Sequence, residues 1–376
     1  MRISRRSLIQ TAGVASVGLI TPGISRLARA ATSSSNPASD SAADEGTWRT
    51  FEITTRVTVL KPSGETRVWS PAVMTNPLPF QRSLSNTVGT AGGTATIDTN
   101  AENSLAIAYS EFPTGVTPVM TVTSRVSTRP YFVDLNVPGN AAPLSPGERA
   151  YYLRATRLQP TDGVVRDTAL RITKGASTDV EKARAIYEWI VENTFRNPKT
   201  RGCGLGDIRF MLESGDLGGK CADLNALFVG LARAAGVPAR DAYGIRVAKS
   251  ELGYKSLGPS TGNITHAQHC RAEVFLETHG WVPVDPADVR KVVLEEPPGN
   301  LKLDDEMVVK ARKRLFGSWE MNWVAYNFAS DVELPGETGA PLPFMMYTQA
   351  ETGGTKLDPY DPEHFEYEIG VREIQA

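Results

Sequence analysis

The sequence predicts an α+β fold, with a β-sandwich-like domain ahead of a core in which a helix packs on an antiparallel sheet. Apolar and polar residues alternate with period two from Phe51, which indicates half-buried strands. The period becomes helical near Thr173, and strand patterns return on both sides of Gly280. A length of 376 residues accommodates two or three domains in this order.

The composition excludes several classes of function. The chain has 40 Lys and Arg against 42 Asp and Glu, a formal charge of −2, which disfavours a protein that binds nucleic acid through bulk charge. It contains no apolar run of about 18 residues from which a membrane span would be predicted. Its three cysteines include no CxxC pair, so a zinc ribbon or a thioredoxin-type redox site is excluded.

Residues 1–30 have the features of an export signal. The pair Arg5-Arg6 precedes a mildly apolar stretch from Ala12 to Ile20, and Ala28-Arg29-Ala30 follows as a cleavage motif. These features resemble a bacterial twin-arginine signal, with an amphipathic helix as the alternative. Cleavage after Ala30 removes five of the 40 basic residues and no acid, so 35 basic and 42 acidic residues remain and the charge becomes −7. We therefore expect a periplasmic or secreted mature protein in an oxidising compartment.

The next two segments differ sharply in pattern. Residues 31–46 are rich in Ser, Ala and Asp, which predicts a disordered linker. Residues 47–148 contain the alternating runs and are predicted to form a β-rich N-terminal domain. Clusters of Gly, Thr and Asn separate the runs, as expected for the loops of an antiparallel sheet.

Two helices follow, and the second begins at a cysteine. The first starts with a capping box made by Thr178 and Glu181. The second starts at Cys221 and ends at Gly236-Val237-Pro238, with apolar residues at helical spacing between them. Free N–H groups and the positive dipole end of a helix lower the pKa of a thiol and can bind an oxyanion. Cys221 is therefore a candidate nucleophile, the alternative being a small buried apolar residue.

Two strand patterns downstream predict a β-hairpin. One begins at His269 and the other ends at Asp285, with a turn before Gly280. Such a hairpin can present His269 and Asp285 side by side. His266 and His269 are three residues apart on a predicted strand and would point to opposite faces, so no metal site is predicted there.

The order of cysteine, histidine and aspartate resembles the transglutaminase-like superfamily, whose core is papain-like. The resemblance extends over roughly residues 165–290. It rests on three linked motifs: Gly219-Lys220-Cys221-Ala222-Asp223, His269-x-x-x-Glu273-Val274, and Gly280-Trp281-Val282-Pro283-Val284-Asp285-Pro286.

The resemblance implies a catalytic domain over residues 149–295. It also implies Cys221 as nucleophile, His269 as general base and acid, and Asp285 as the group that orients the imidazole. One departure is Arg271, where many members have Trp, and we expect this change to alter the rim of the acyl-binding cleft.

These residue types imply thiol-dependent acyl transfer on amide bonds through a thioester. Water as the acceptor would give a cysteine peptidase or amidase, and an amine would give a transglutaminase; the sequence leaves both open. The implied partner is a peptide or protein substrate, with a cell-wall peptide among the options, and no cofactor is implied. The alternative is a non-catalytic scaffold of the periplasm that binds partners through its N-terminal sheet domain.

Four further residues are candidates for supporting roles near the site. Gln268 is a candidate second oxyanion donor or an ordinary loop amide, and Trp281 is a candidate positioning residue at the cleft. Cys203 and Cys270 could form a disulfide in an oxidising compartment, or remain two buried free thiols.

Residues 296–376 are predicted to form a C-terminal extension packed on the core.

Overall fold

A computed structural model of the chain describes residues 46–375. The predicted export signal at residues 1–30 lies outside the described residues, as does the predicted linker at 31–46 apart from Gly46. Within residues 46–375, no helix has the length and hydropathy that a membrane crossing requires.

The helices of this region are α1 (Pro146–Leu153), α2 (Gly163–Ile172), α3 (Asp179–Asn193), α4 (Ile208–Ser214), α5 (Cys221–Ala234), α6 (Pro286–Glu295) and α7 (Glu306–Arg314). Its strands are β1 (Arg49–Val59), β2 (Thr66–Ala72), β3 (Gln81–Ala91), β4 (Thr94–Asn100), β5 (Leu105–Phe112), β6 (Val119–Thr128), β7 (Tyr131–Phe132), β8 (Phe195–Arg196), β9 (Gly218–Gly219), β10 (Ala239–Arg246), β11 (Gln268–Leu276), β12 (Gly280–Val284), β13 (Ser318–Trp319), β14 (Trp323–Asn327), β15 (Gln349–Thr352), β16 (Thr355–Lys356) and β17 (Phe365–Ile374).

Two antiparallel sheets pack around a shared apolar core in the N-terminal β-rich region. Their strand orders are β17-β1-β6-β3 and β16-β15-β2-β5-β4. Side chains from both sheets fill the core, among them Val57, Val68 and Met120. In β1, Ile53 and Val57 are buried while Arg56 faces solvent, so the predicted period-two pattern is confirmed.

Strands from the C-terminal part of the chain complete these sheets. β17 pairs with β1 along ten residue pairs, from Thr50↔Ile374 to Val59↔Phe365. β15 pairs with β2 in the second sheet, and β16 follows β15 at the edge. The division into units at 47–148, 149–295 and 296–376 stays a prediction, and the later residues supply strands to the earlier region.

A third large sheet has the order β12-β11-β10-β14 and supports α5. All nine residues of β11 are buried, and so are residues Cys221 to Arg233 of α5. α5 is enclosed because α2, α3 and α6 pack on the faces that the sheet leaves open. The helix ends before Gly236, whose φ of +84° favours glycine. The predicted α+β class, the helix that starts at Cys221 and the hairpin are therefore confirmed.

Gly244 sets the spacing between the strands around His269. It stands opposite His269 in the β10–β11 pair. A Cβ atom at this position would lie 2.1 Å from Val324 O and 2.5 Å from the Trp323 ring. Because Gly244 lacks one, Trp323 reaches the strand and its indole N–H donates to His269 O at 2.9 Å.

Candidate active site

The structure brings the three predicted triad residues together. Cys221 begins α5, His269 lies near the start of β11, and Asp285 caps α6 directly after β12. His269 Nε2 lies 2.7 Å from Asp285 Oδ2. His269 Nε2 faces Asp285, which leaves Nδ1 as the ring nitrogen available to the Cys221 thiol in the cleft that both residues line.

Asp285 is held by contacts that leave one oxygen for the histidine. Its Oδ1 accepts the backbone N–H of Asp288 at 3.0 Å, which is an N-cap bond at the start of α6. The same oxygen accepts Asn225 Nδ2 at 3.3 Å, and the Asp285 N–H donates to Leu315 O at 2.9 Å. The carboxylate is fully buried and fixed by α5, α6 and the residue that follows α7.

Asp288 and Arg246 are site residues that the sequence reasoning missed. Asp288 Oδ1 lies 3.3 Å from His269 Nε2 and 2.5 Å from Arg246 Nη2. Both side chains are buried, so the histidine faces two carboxylates and one of them is paired with a guanidinium. The signal that could have found Asp288 is its place three residues after the N-cap Asp285, in the first turn of α6.

The charges of the site place the proton on the histidine. Burial by itself raises the pKa of Cys221, but hydrogen bonds with Cys203, Cys270 and His269 lower it well below its ordinary value. Burial and Arg246 lower the pKa of His269, but the two carboxylates raise it to about 9. Both shifts favour a thiolate beside an imidazolium.

Asp223, in the motif that contains Cys221, positions the loop before α5. Its carboxylate accepts the N–H groups of Leu205 at 3.0 Å, Gly206 at 2.9 Å and Lys220 at 3.0 Å. The loop in turn accepts the Ala222 N–H at Cys203 O, 2.9 Å away. Asp223 thus holds the Cys203 loop against the first turn of the helix.

Cys203 and Cys270 are both free and buried, which is the second of the two alternatives considered for them. The structure therefore has no Cys203–Cys270 disulfide. The Cys203 thiol donates to Gln268 O at 3.4 Å and the Cys270 thiol lies 3.7 Å from Met346 Sδ. Contact with Cys221 raises the pKa of Cys203, and burial raises the pKa of Cys270, so neither thiol is suited to act as a nucleophile.

Arg271 does not lie at the rim of the cleft, contrary to the expectation from its replacement of Trp. It is 1% exposed, and its Nη1 donates to Glu320 O at 3.0 Å. Its Nε lies 3.6 Å from Asp285 Oδ2, so its positive charge acts on the triad from behind. The reason is strand alternation: Arg271 shares the face of His269 on β11, two residues further into the sheet.

A cleft of about 650 Å³ opens onto Cys221 and His269. The residues that line it are Arg196, Gly202, Cys203, Lys220, Cys221, Arg246, Gly258, Pro259, His266, Ala267, Gln268, His269 and Lys291. His266 precedes β11 and lines the same cleft as His269, so the prediction that they face opposite ways is wrong.

The two candidate positioning residues, Gln268 and Trp281, differ in their location relative to the cleft. Gln268 lines the cleft, but its Nε2 donates to Thr265 O at 3.0 Å. Trp281 is not among the described residues that line the cleft, so its placement there is corrected. It packs instead against Phe275 and under the guanidinium of Arg240, 4.0 Å from the ring centroid.

His269, Asp285 and Asp288 form the one described group whose ligand atoms lie within 4.8 Å of one another. Their charge is already matched, because Arg246 contacts Asp288 and Arg271 lies beside Asp285. The direct His269–Asp285 hydrogen bond also occupies the histidine nitrogen that a metal would need. The two carboxylates thus already have cationic partners in Arg246, Arg271 and the histidine.

A family model and a relative each match part of the chain. Residues 166–286 match the family model described as the transglutaminase-like superfamily. An uncharacterized protein of Haemophilus influenzae (strain ATCC 51907 / DSM 11121 / KW20 / Rd) is 42% identical over 232 residues, 59% of this chain. The match spans 62% of that relative's length.

A solved structure shares the fold at low sequence identity. A candidate cysteine protease from Cytophaga hutchinsonii superimposes with a TM-score of 0.55 at 14% identity, over 88% of this chain and 92% of that one. The periplasmic domain of TgpA from Pseudomonas aeruginosa, bound to ethylmercury, gives a TM-score of 0.32 at 16% identity, over 62% and 89%. The second score is too low to bear on function. Residues 166–286 are thus similar to the transglutaminase-like core domain, and the first of these structures shares the fold.

Proposed function

We propose that the protein is a thiol-dependent enzyme of the cell envelope that transfers acyl groups from amide bonds, with Cys221, His269 and Asp285 as its catalytic residues. The observation that carries this proposal is the buried His269 ring, fixed by Asp285 at 2.7 Å in the cleft that Cys221 also lines. A scaffold protein has no physical need for an activated thiol at the start of a buried helix. The envelope location rests on the twin-arginine pattern of residues 1–30.

The reaction begins from the thiolate and imidazolium pair. The Cys221 sulfur attacks the amide carbonyl carbon, and the Cys221 N–H at the helix start stabilises the oxyanion that forms. The C–N bond then breaks as His269 gives its proton to the leaving nitrogen, which leaves a thioester on Cys221. Water or an amine attacks the thioester while His269 takes the proton from it, and the C–S bond breaks to restore the thiolate.

Selective alkylation tests the activated thiol. We expect iodoacetamide to label Cys221 at mildly acidic pH, because its pKa is lowered while those of Cys203 and Cys270 are raised. The variant Cys221→Ala should lose all labelling and keep the wild-type circular dichroism spectrum. Equal labelling of wild type and variant under these conditions would remove the case for an activated thiol.

A second experiment separates the two acceptors. The protein is incubated with a peptide library and a dansylated amine, and both cleavage and amine incorporation are measured. Cleavage that depends on Cys221 indicates a peptidase or amidase, and amine incorporation that depends on Cys221 indicates a transglutaminase. If neither product depends on Cys221, the scaffold alternative replaces the enzyme.

A further inference from the structure

The cleft around Cys221 is basic, although the chain as a whole is not. Of its thirteen described lining residues, Arg196, Lys220, Arg246 and Lys291 are cationic, and none is Asp or Glu. The whole chain has 42 acidic and 40 basic residues. The positive charge is therefore a local property of the cleft.

Acids behind the lining neutralise only part of this charge. Arg246 is matched by Asp288 at 2.5 Å. Arg196 and Lys291 share one acid, since Arg196 Nε contacts Glu295 Oε1 and Lys291 Nζ lies 3.6 Å from Glu295 Oε2. Within residues 46–375 no ion pair involves Lys220, which is half-buried.

Together with Arg271, the residues Cys221, His269 and Asp285 add no net charge to the cleft. The Cys221 thiolate balances the His269 imidazolium, and the Asp285 carboxylate balances Arg271 at 3.6 Å. Two positive charges of the lining thus have no ion-pair partner of their own: that of Lys220, and one shared by Arg196 and Lys291. The buried Asp223 carboxylate, which accepts the Lys220 N–H at 3.0 Å, offsets part of this charge. Cations that line a cleft with low-dielectric walls attract anionic ligands more strongly than the same charges on open surface.

The basic lining continues past the loop before β11. Gly258 and Pro259 line both the cleft and a second depression of about 830 Å³. The second depression is lined by Lys249 and Lys255 and by no Asp or Glu among the described residues. Glu296 lies close enough to Lys255 to interact with it. Lys249 is therefore the remaining cation of the second depression.

We propose that the cleft selects a peptide with a carboxylate close to the attacked amide, and that Lys220 pairs with this carboxylate. Lys220 directly precedes the nucleophile, so its side chain can reach a carboxylate one or two residues from the attacked carbonyl. Lys291 and Arg196 line the same cleft and add to the positive charge that the carboxylate meets. The inference rests on the proposed function, because it assigns a substrate class to the same nucleophile.

Two alkylating reagents that differ in charge provide the test. Iodoacetate and iodoacetamide form the same C–S bond at Cys221 and expel the same iodide, but iodoacetate is anionic. The quantity measured is the ratio of their second-order rate constants at low ionic strength, with 2-mercaptoethanol as the free-thiol reference. We expect the wild-type ratio to exceed the reference ratio by about tenfold and to fall in 1 M NaCl.

Charge-removing variants then assign the preference to named residues. Lys220→Met should lower the ratio about three- to fivefold, the effect of one charge a few ångströms away, and Lys291→Met should lower it as well. The control is Lys310→Met, because Lys310 is 64% exposed on α7 and pairs with Glu306, away from the cleft residues. In turnover, kcat/KM should be higher for a peptide with Glu beside the attacked amide than for its Gln counterpart.

The outcomes distinguish the two proposals. A ratio that Lys220→Met and Lys291→Met leave unchanged, or that Lys310→Met lowers equally, overturns the anionic substrate class while the reactive thiol stands. Failure of Cys221 to react with either reagent faster than the reference thiol overturns the proposed function itself.

Discussion

His269 is the residue whose surroundings decide the chemistry. It is buried between carboxylates of two different residues, and one of these, Asp288, is also bound by Arg246. Burial and the guanidinium disfavour the imidazolium, while the carboxylates favour it more strongly and raise the pKa to about 9. The thiolate of Cys221 depends on this balance, since its counter-ion is the protonated ring.

The variant Asp288→Asn should move the alkaline limb of reactivity to lower pH. Asp288 raises the pKa of His269, so its neutralisation lowers that pKa from about 9, and Arg246, left without its partner, lowers it further. The imidazolium is then lost at a lower pH, and the ion pair exists over a narrower range. We expect the alkaline limb of the kcat/KM profile to shift down by about one pH unit or more.

The control for this change is Asp304→Asn, an acid in the loop before α7 that lies outside the site. An alkaline limb that Asp288→Asn leaves in its wild-type position would show that Asp288 has no electrostatic role at His269.

The sequence was most informative where one short motif contains the functional group. Cys221, His269 and Asp285 each lie in such a motif, and the structure brings them together. The Arg246–Asp288 pair joins β10 to α6 across 42 residues, and no local pattern links the two. The expectation that Arg271 alters the rim rested on its replacement of the family's Trp, whereas its location follows from the pleat of β11.

At the scale of elements, the site depends on how closely β10, β11 and β14 approach one another. β11 carries His269, and β10 lies between it and β14. Gly244 on β10 leaves the space in which Trp323 of β14 crosses to bond His269 O. The absence of a side chain at Gly244 thus allows β14 to hold the backbone of β11, although β10 lies between these two strands.

The variant Gly244→Ala should destabilise the protein by about 1–3 kcal/mol, the usual cost of overpacking a well-packed core. The new Cβ would meet Val324 O at 2.1 Å, a backbone atom that moves only with its strand. The free energy of unfolding from urea titration measures the change. We also expect a lower rate of iodoacetamide labelling, because the shift of β14 releases the backbone of His269.

Gly147→Ala is the matched control. Gly147 lies in the first turn of α1 with nothing within 4 Å of an added Cβ, so the same substitution should be neutral or stabilise by up to about 1 kcal/mol. Equal stability of Gly244→Ala and wild type would contradict the steric role of Gly244.

Element boundaries were predictable because their signals are local. The capping box of Thr178 and Glu181 forms as expected, with Glu181 N–H bonded to Thr178 Oγ1 at 3.2 Å. The lining of the cleft was not predictable, since it combines β8, the start of α5 and the loop before β11. Trp281 is an example: its sequence motif contains Asp285, yet its side chain is not among the described residues that line the cleft.

At the scale of the molecule, the two ends of the described chain are joined in one sheet. β17 is the neighbour of β1, more than 300 residues away in sequence. Phe365 of β17 is 2% exposed in the core between the two N-terminal sheets. Sheet neighbours so distant in sequence leave no shared periodic signal, so the alternating pattern predicted β1 but neither β17 nor its pairing with β1.

The described residues belong to one compact unit, so a core lesion in the N-terminal sheets should weaken the catalytic region as well. We expect Phe365→Ala to lower the free energy of unfolding by about 3–5 kcal/mol.

In a Cys221→Ala background, urea unfolding is followed by circular dichroism and by alkylation of Cys203 and Cys270, which are buried in the core around α5. Both midpoints should fall together, whereas Phe132→Ala, at a side chain that is 52% exposed, should leave both within error. Thiols that keep their wild-type midpoint while the dichroism midpoint falls would show that the two regions unfold independently.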